Sequence, residues 1–368
     1  MNSRVSTSIS APIMLKSLVS ALLVSTVVLL GLSLGTGCDT EIDLNAPFEE
    51  TAVLFCLLDE SESTHYVRIN RAYLQDGVDA LLLATDPNEI YYDDRLAVSM
   101  EEVDVNGNVV SNITLERVDG DTIGIIKEEG TFANSPNILY RYVRELNPAY
   151  TYRVRARSTE LEIDLSAETE LLSQFNITRP TPNPGVNTAI SFAPLSDYQV
   201  RWNVSGDAKL FDIDMRFFYR VYSVSDPNTA ILDTFATWSI VRGIVAPTGD
   251  LSLEYDVPRN GFFNFVQREI PYDADLYYQA DSVDFVWFAG DGTLFDYAQF
   301  TSSQLGITEN QISPEFTNVE GGLGLFASRY KQATPRYRMS NQSIDSVACG
   351  FITSGTNWIT HDNQVVCP

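Results

Sequence analysis

The sequence predicts a mainly β protein that is built from two tandem β-sandwich domains. Apolar and polar residues alternate with a period of two in one segment after another, for example from Leu210 to Tyr222, as in strands with one buried face. Turn signals such as Asn106-Gly107 separate these segments. The stretch Thr181-Pro-Asn-Pro-Gly185 divides them into two groups and has the composition of a rigid linker.

The first domain is predicted over residues 48–172. Its strands are expected at Ala52–Leu58, His65–Arg71, Leu96–Val103, Leu139–Val143, Tyr150–Ala156 and Glu160–Ala167. The first of these is apolar throughout and predicts a buried strand, in which Cys56 is an inert core thiol. His65 stands at the start of the second strand, where we expect it to face solvent.

Two neighbouring motifs in this domain carry a structural resemblance. Leu146-Asn-Pro148 is followed by Tyr150-Thr-Tyr152-Arg-Val154, which resembles the corner between strands E and F of an immunoglobulin-like or fibronectin type III sandwich. The resemblance implies that a tyrosine hydrogen-bonds back across this corner while alternate residues fill the core.

The second domain is predicted over residues 187–345, after a linker at 173–186 and before a C-terminal tail at 346–368. Strands are expected at Tyr198–Val204, Leu210–Tyr222 and Ser282–Phe288, and a short helix at Leu294–Phe300. The odd-numbered residues from Phe211 to Val221 are predicted to share one face of their strand. The Trp202 strand and the long strand after it resemble strands B and C of a second fibronectin-like sandwich.

Residues 1–37 have the pattern of a secretory signal peptide, because Arg4 and Lys16 precede the apolar run from Leu18 to Leu34. The segment Leu34-Gly-Thr-Gly-Cys38 is similar to a bacterial lipobox, in which the cysteine sulfur receives a diacylglyceryl group before cleavage. It departs from that pattern at Gly35, where the lipobox prefers leucine. We therefore expect a lipidated Cys38, followed by an acidic tether at residues 38–47. An uncleaved membrane anchor and a cleaved, unanchored protein remain as alternatives.

A family resemblance extends over most of the mature chain. The segment Pro314–Arg329, with its Gly321-Gly-Leu-Gly324 run, and the start Leu57-Leu-Asp59 then Tyr66–Arg71 resemble uncharacterised envelope lipoproteins of the Bacteroidota. The resemblance implies an immunoglobulin-like N-terminal domain, lipid attachment at the outer membrane and association with TonB-dependent outer-membrane receptors. It implies no enzymatic activity. The acids that follow Cys38 are similar to surface-export signals, so both the cell surface and the periplasmic face stay open.

Charge and cysteine usage limit the partners. The net charge of −25 argues against nucleic-acid binding, which requires lysine and arginine to neutralise phosphates. It also repels anionic lipid headgroups, so the bilayer would be held through the acyl chains of Cys38. Cys349 and Cys367 flank a polar loop, and we expect them to form a disulfide in an oxidising compartment.

The residues that carry chemistry are few. With two histidines in the chain, a multi-histidine zinc site is excluded, and we predict no catalytic residue, metal or cofactor. The Gly321–Gly324 run lacks the basic residue of a phosphate loop and predicts a turn where backbones approach closely. Asp273 and Asp275 form a candidate acid pair, so a glycan hydrolase is an alternative.

Aromatic residues suggest a binding role. Trp238, Tyr222, Tyr277 and Tyr278 are candidates for an exposed platform for sugar rings or a protein partner. We therefore expect a lipid-anchored envelope binding or accessory module without catalytic activity, acting on a glycan, a transporter or another envelope protein. A structural spacer without a ligand is a further alternative.

Overall fold

The computed structural model describes residues 51–72, 80–181, 188–193, 196–204, 206–247, 249, 252–303 and 316–365. The predicted signal peptide, the tether with Cys38, and Cys367 lie outside these residues. Within the described ranges, no helix has the length and apolar character that a membrane crossing requires.

Strands make up most of the regular structure, as the sequence predicts. In the first half they are β1 (Thr51–Asp59), β2 (Thr64–Ala72), β3 (Ala97–Val103), β4 (Val109–Thr114), β5 (Glu116–Asp119), β6 (Ile138–Val143), β7 (Thr151–Ser158) and β8 (Ile163–Thr169). In the second half they are β9 (Ile177–Arg179), β10 (Tyr198–Asn203), β11 (Leu210–Ser223), β12 (Asp226–Val245), β13 (Ser252–Val257), β14 (Leu276–Gly290), β15 (Leu323–Ala333) and β16 (Tyr337–Arg338).

The helices are short, and all but the last lie between strands. They are α1 (Ala80–Thr85), α2 (Pro87–Ile90), α3 (Arg259–Glu269), α4 (Gly292–Ser303) and α5 (Asn341–Cys349), with a 3-10 turn at Gly120–Ile123. Helix α5 begins after Ser340, whose hydroxyl oxygen accepts a hydrogen bond from Ser343 N at 3.1 Å, as in an N-cap.

The first sandwich packs a four-stranded sheet, ordered β4-β3-β7-β8, against the strands β1, β2, β6 and β5. Leu54 and Val67 point into its core from one sheet, and Met100 and Val154 point in from the other. All four are fully buried, and each such side chain stabilises the fold by about 1.5–3 kcal/mol relative to exposure.

The predicted corner is present in this sandwich. The Asn147 backbone N–H donates a hydrogen bond of 2.7 Å to the hydroxyl oxygen of Tyr152 on β7, while Leu146 is buried in the core. This is the tyrosine corner that the Leu-Asn-Pro and Tyr-Thr-Tyr segments imply. The Asn106-Gly107 hairpin is confirmed too, since Gly107 has a φ of 81° in the β3–β4 turn.

The second sandwich packs the three-stranded sheet β13-β10-β9 and helix α3 against β11, β12 and β14. Successive strands alternate between the two sheets: β9 and β10 lie in one, β11 and β12 in the other, β13 in the first again, and β14 and β15 in the second. Immunoglobulin-type sandwiches connect their sheets in this Greek-key manner. The predicted inner face of β11 is confirmed from Phe211 to Phe217, where the odd-numbered residues are fully buried. The register shifts after Phe218, and Tyr222 of the other predicted face is buried as well.

One sheet runs through both sandwiches, in the order β12-β11-β14-β15-β1-β2-β6-β5, with β16 pairing to β14. Its central joint is the parallel pair β1–β15, in which Val53 lies opposite Leu323. Gly324 adopts a φ of 122°, and a Cβ there would lie 1.9 Å from Leu54 O. The predicted close backbone approach at this glycine run is therefore confirmed, and the two sandwiches share a layer.

The second sandwich extends beyond its predicted boundaries, residues 187–345, at both ends. Ile177, in the predicted linker, and Trp358, in the predicted tail, are both buried in its core. Trp358 packs on Phe217 with ring centroids 5.7 Å apart. Residues 182–187 of the linker lie outside the described residues. Strand β12 and helix α3 are additions that the sequence patterns did not indicate.

Candidate functional site

A cleft of about 470 Å³ opens on the shared sheet, on the face that points away from the first core. Strands β1, β2 and β15 form its floor, and helix α4 forms one wall. The volume falls within the range of small-ligand pockets, about 300–1,000 Å³.

Aromatic and aliphatic side chains cover the floor. Phe55 and Leu57 project from β1, and Tyr66 projects from β2. Phe55 is 38% exposed, which corrects the expectation that the whole strand is buried. Side chains of a strand alternate between faces, so Leu54 and Cys56 fill the core while Phe55 faces the cleft.

Cys56 remains an inert thiol, as predicted from its apolar surroundings. It is a free cysteine on the core side of β1, and burial raises the pKa of its thiol to about 12. A thiol with so high a pKa is a poor nucleophile at neutral pH.

Helix α4 brings Leu294 and Tyr297 over the floor. The ring of Tyr297 meets that of Phe55 edge to face, with centroids 6.1 Å apart and planes at 74°. This geometry is favourable for aromatic pairs. It leaves part of the Phe55 ring open to the cleft.

Asp291 fixes the start of α4 to the floor. Its Oδ1 accepts a hydrogen bond from Leu294 N at 2.7 Å, and its Oδ2 accepts one from Ser328 N on β15 at the same distance. Thr169 Oγ1 on β8 also donates to Oδ2, at 3.3 Å. Burial raises the pKa of this carboxyl, but both oxygens are engaged by structural donors, so Asp291 positions the helix.

One end of the cleft is charged. Asp59, at the end of β1, lies opposite Arg329 on β15, with Nε and Oδ2 3.3 Å apart. Glu62 lies 3.9 Å from the same guanidinium. Ser61 donates to Asp59 Oδ1 from both its backbone N–H and its hydroxyl. The acid is thus held in place, and Arg329 stays partly exposed.

A second guanidinium reaches the cleft from β2. Arg68 donates from one terminal nitrogen to Asn137 Oδ1 at 2.7 Å. Asn137 is fully buried, and its own amide donates to Ile125 O. Arg68 is therefore oriented by a fixed partner, and together with Arg329 it presents N–H donors around an aromatic floor.

The structure does not bring the four predicted platform residues together. Tyr222 on β11 and Tyr277 on β14 are cross-strand partners. Trp238, on β12, lies opposite Met215 of β11. Seven residues of β11 separate these two points, or about 23 Å along the strand.

Packing also removes most of the predicted platform from the surface. Tyr278 is buried, with its ring 5.4 Å from that of Trp358. Tyr222 is buried and donates from its hydroxyl to Gln279 Oε1 at 3.1 Å. Trp238 stacks on Phe265 of α3 at 5.8 Å. Core packing thus accounts for aromatics that the sequence offered as ligand contacts.

The acid pair of the hydrolase alternative lies in a turn before β14. Asp275 N donates to Asp273 Oδ1 at 2.8 Å, the pattern of an Asx turn. Neither residue lines the cleft. Asp273 therefore has a local structural role.

The two histidines differ in their surroundings. His65 is only 3% exposed, which corrects the expectation of a solvent-facing side chain. It lies on the core face of β2, opposite Tyr142 of β6. His361 is partly exposed, and its Nδ1 lies 2.8 Å from Asp345 Oδ1.

Cys349, at the end of α5, is disulfide-bonded. Its partner lies outside the described residues, so the pairing with Cys367 stays a prediction. Among the residues that the structure describes, no group of three or more His, Cys, Asp or Glu side chains is placed to hold a metal ion.

Sequence reasoning missed the cleft residues for a specific reason. Both faces of β1 are apolar, so Phe55 and Leu57, which face the cleft, do not stand out from the buried positions. Arg329 and Asp59 are also 270 residues apart in sequence and meet only through the parallel strand pair. That Phe55 is exposed in an otherwise apolar strand can be recognised only once the neighbouring strands are known.

The fold and the cleft define a protein of two β-sandwiches joined by a common sheet, with an aromatic-floored cleft on that sheet. No family model matches the chain, and no curated protein matches it. Among solved structures, the C-terminal globular domain of oligosaccharyltransferase from Pyrococcus abyssi is similar at 12% identity, over 80% of this chain and 48% of that one. The TM-score is 0.20. The chain thus spans about half of that domain's length, and a similarity at this level does not bear on fold or function.

Proposed function

We propose that the protein is a lipid-anchored envelope binding module that holds a glycan in the cleft between β1, β2, β15 and α4 and does not catalyse a reaction. The module works at the outer membrane, beside a TonB-dependent receptor. The observation that carries the glycan assignment is the combination of an exposed aromatic floor with two oriented guanidinium groups.

Sugar rings present apolar C–H faces and hydroxyl-bearing edges. The exposed part of Phe55 offers a flat apolar surface for such a face, supported from the side by Tyr297. Arg68 and Arg329 supply donors at the periphery, where the hydroxyl or carboxylate oxygens of a sugar would accept them. A few polar groups around an apolar floor are typical of sites that fix a ligand's orientation.

Glycan binding can be tested with a matched pair of phenylalanine variants. We expect the mature chain to bind envelope-derived glycans on an array, and Phe55→Ser to lose at least about tenfold in affinity, as for removal of a buried aromatic contact. Phe351→Ser is the control, because Phe351 is almost fully exposed and lies outside the cleft. Equal glycan binding by all three proteins would show that the cleft is not the binding site. Binding to envelope proteins but to no glycan would show that the ligand is a protein.

The lipid anchor has a separate test. Cys38→Ala removes the acceptor sulfur, so we expect the protein to move from the membrane fraction to the soluble fraction. The control is Cys56→Ala, which leaves the lipobox intact. Retention of Cys38→Ala in the membrane fraction would contradict lipidation at this residue.

A further inference from the structure

Strand β12 forms one end of the shared sheet. It is 20 residues long, and among the described residues it pairs only with β11. Its other edge therefore presents backbone N–H and C=O groups that no described strand satisfies. Such an edge can template the addition of another strand.

The composition of this edge lacks the usual protection. From Thr229 to Val241 there is no proline, glycine or lysine, and Asp233 is the one charged residue. Natural edge strands are commonly shortened, charged or interrupted to prevent pairing with other chains. The register irregularities of β12 lie near its ends, around Ala230 and beyond Ser239, so the central stretch stays regular.

Apolar side chains are exposed along the same stretch. Ile231 is 59% exposed and Phe235 is 50% exposed, and Leu232 is exposed between them. Strand addition would cover these side chains as well as the backbone edge.

Phe235 stands on a pre-formed surface. Its ring lies 5.4 Å from that of Phe218 on β11, and the guanidinium of Arg216 lies 5.9 Å from its centroid. Arg336 covers Phe218 at 3.5 Å. An incoming apolar side chain would therefore meet an ordered aromatic group next to the edge.

The charge of the chain favours another protein over a second copy as the occupant of this edge. Two copies would each bring a net charge of −25 to the contact, and such self-repulsion keeps proteins apart. Asp233 is exposed, and its nearest cation, Arg220, lies 3.6 Å away. Arg220 makes its shorter contact, 2.6 Å, with Asp281. Asp233 is thus open to a further cation from an added strand.

We propose that β12 is a docking edge for an extended segment of another protein, added as a further strand, with a basic residue opposite Asp233 and an apolar residue near Phe235. This surface is separate from the cleft, and the inference does not depend on glycan binding.

The test uses two synthetic peptides of about nine residues, the length of a typical strand. Both alternate threonine and valine, and they differ in a central lysine or glutamate. We expect the lysine peptide to bind the full chain at least about fivefold more tightly than the glutamate peptide, because opposite charges across strands attract and like charges repel. Hydrogen exchange of β12 should slow when the lysine peptide binds.

Charge reversal provides the sharpest variant. Asp233→Lys should reverse the order of the two peptides, and Phe235→Lys should weaken both. Val105→Lys is the control, since Val105 is exposed in the β3–β4 turn, away from β12. Phe55→Ser should leave peptide binding unchanged, which separates this inference from the proposed cleft.

Three results would overturn the proposal. One is the absence of binding by either peptide, and another is a peptide preference that Asp233→Lys does not change. The third is a concentration-dependent dimer of the wild-type chain that Phe235→Lys abolishes, which would assign the edge to a second copy.

Discussion

His65 and His361, the two histidines of the chain, lie in surroundings that shift their pKa values in opposite directions. Burial lowers the pKa of His65 below its ordinary value of 6.5. The hydrogen bond with the Asp345 carboxylate raises the pKa of His361 above the same value. The folded state therefore disfavours a proton on His65 and favours one on His361.

These shifts predict opposite effects on stability. The folded state should lose stability through His65 as the pH falls below about 6.5, because the unfolded chain then binds the proton more readily. The opposite holds for His361, whose pKa is raised in the folded state. As the pH falls from that raised pKa to about 6.5, the folded state binds the proton first and gains stability. Relative to wild type, His65→Gln should lose less stability between about pH 7.5 and about pH 5.5, and His361→Gln should lose more.

Urea unfolding across this pH range measures both effects. The carboxylates that titrate at lower pH are the same in all three proteins, so they cancel in the comparison. A change of the pH dependence in the same direction for both variants would contradict the described surroundings of the histidines.

Tyr152 tests the corner of the first sandwich. Tyr152→Phe removes the acceptor of the Asn147 N–H bond and should lower the free energy of unfolding by about 1–2 kcal/mol. Tyr150→Phe is the control on the same segment, since no described hydrogen bond uses its hydroxyl. Equal stabilities of the two variants in urea unfolding would show that the corner bond does not contribute.

The parallel pair of β1 and β15 depends on glycine at one position. A Cβ at Gly324 would lie 1.9 Å from Leu54 O, far closer than van der Waals contact allows, whereas a Cβ at Gly107 would meet nothing within 4 Å. Both glycines have positive φ, 81° at Gly107 and 122° at Gly324, so a side chain carries a conformational penalty at each. At Gly324 the backbone contact adds to that penalty.

Alanine at each glycine separates these effects. Gly107→Ala should cost about 1 kcal/mol, the penalty for positive φ. Gly324→Ala should cost more than about 4 kcal/mol or prevent folding, because the two strands must separate. Thermal unfolding and the soluble yield measure both. Similar, small losses for the two variants would contradict the close pairing of β1 with β15.

The predictability of an element depended on how its two faces differ. Strand β11 alternates Phe211, Asp212, Ile213 and Asp214, so its faces could be assigned from sequence. Strand β12 also alternates in burial, and Ala236, Trp238 and Ile240 pack against the core. Its exposed face carries apolar residues too, such as Phe235, so the sequence does not separate the two faces. The sequence therefore indicated the core of the second sandwich and not its edge.

For the whole molecule, the shared sheet couples two cores that the sequence suggested were separate. Local patterns predict strands and turns, but they carry no information on the pairing of Val53 with Leu323. That pairing creates the floor of the cleft. The sequence predicted β1 and β2 but no strand at β15 (Leu323–Ala333), so it could not indicate the site that the three strands form.

A shared layer predicts cooperative unfolding. The four tryptophans, Trp202, Trp238, Trp287 and Trp358, all belong to the second half of the chain, so their fluorescence reports that half, whereas far-ultraviolet circular dichroism reports both. We expect the two signals to give coincident urea transitions. A separate transition in circular dichroism without a change in fluorescence would show that the first sandwich unfolds independently.

Hydrogen exchange of the mature chain, with and without an envelope glycan that it binds, locates the glycan on the protein. If the cleft holds the glycan, exchange slows only in residues 53–68 of β1 and β2, in β15 and in residues 292–300 of α4. Protection at other segments with none at these, or binding that leaves all four elements unchanged, would contradict binding in the cleft.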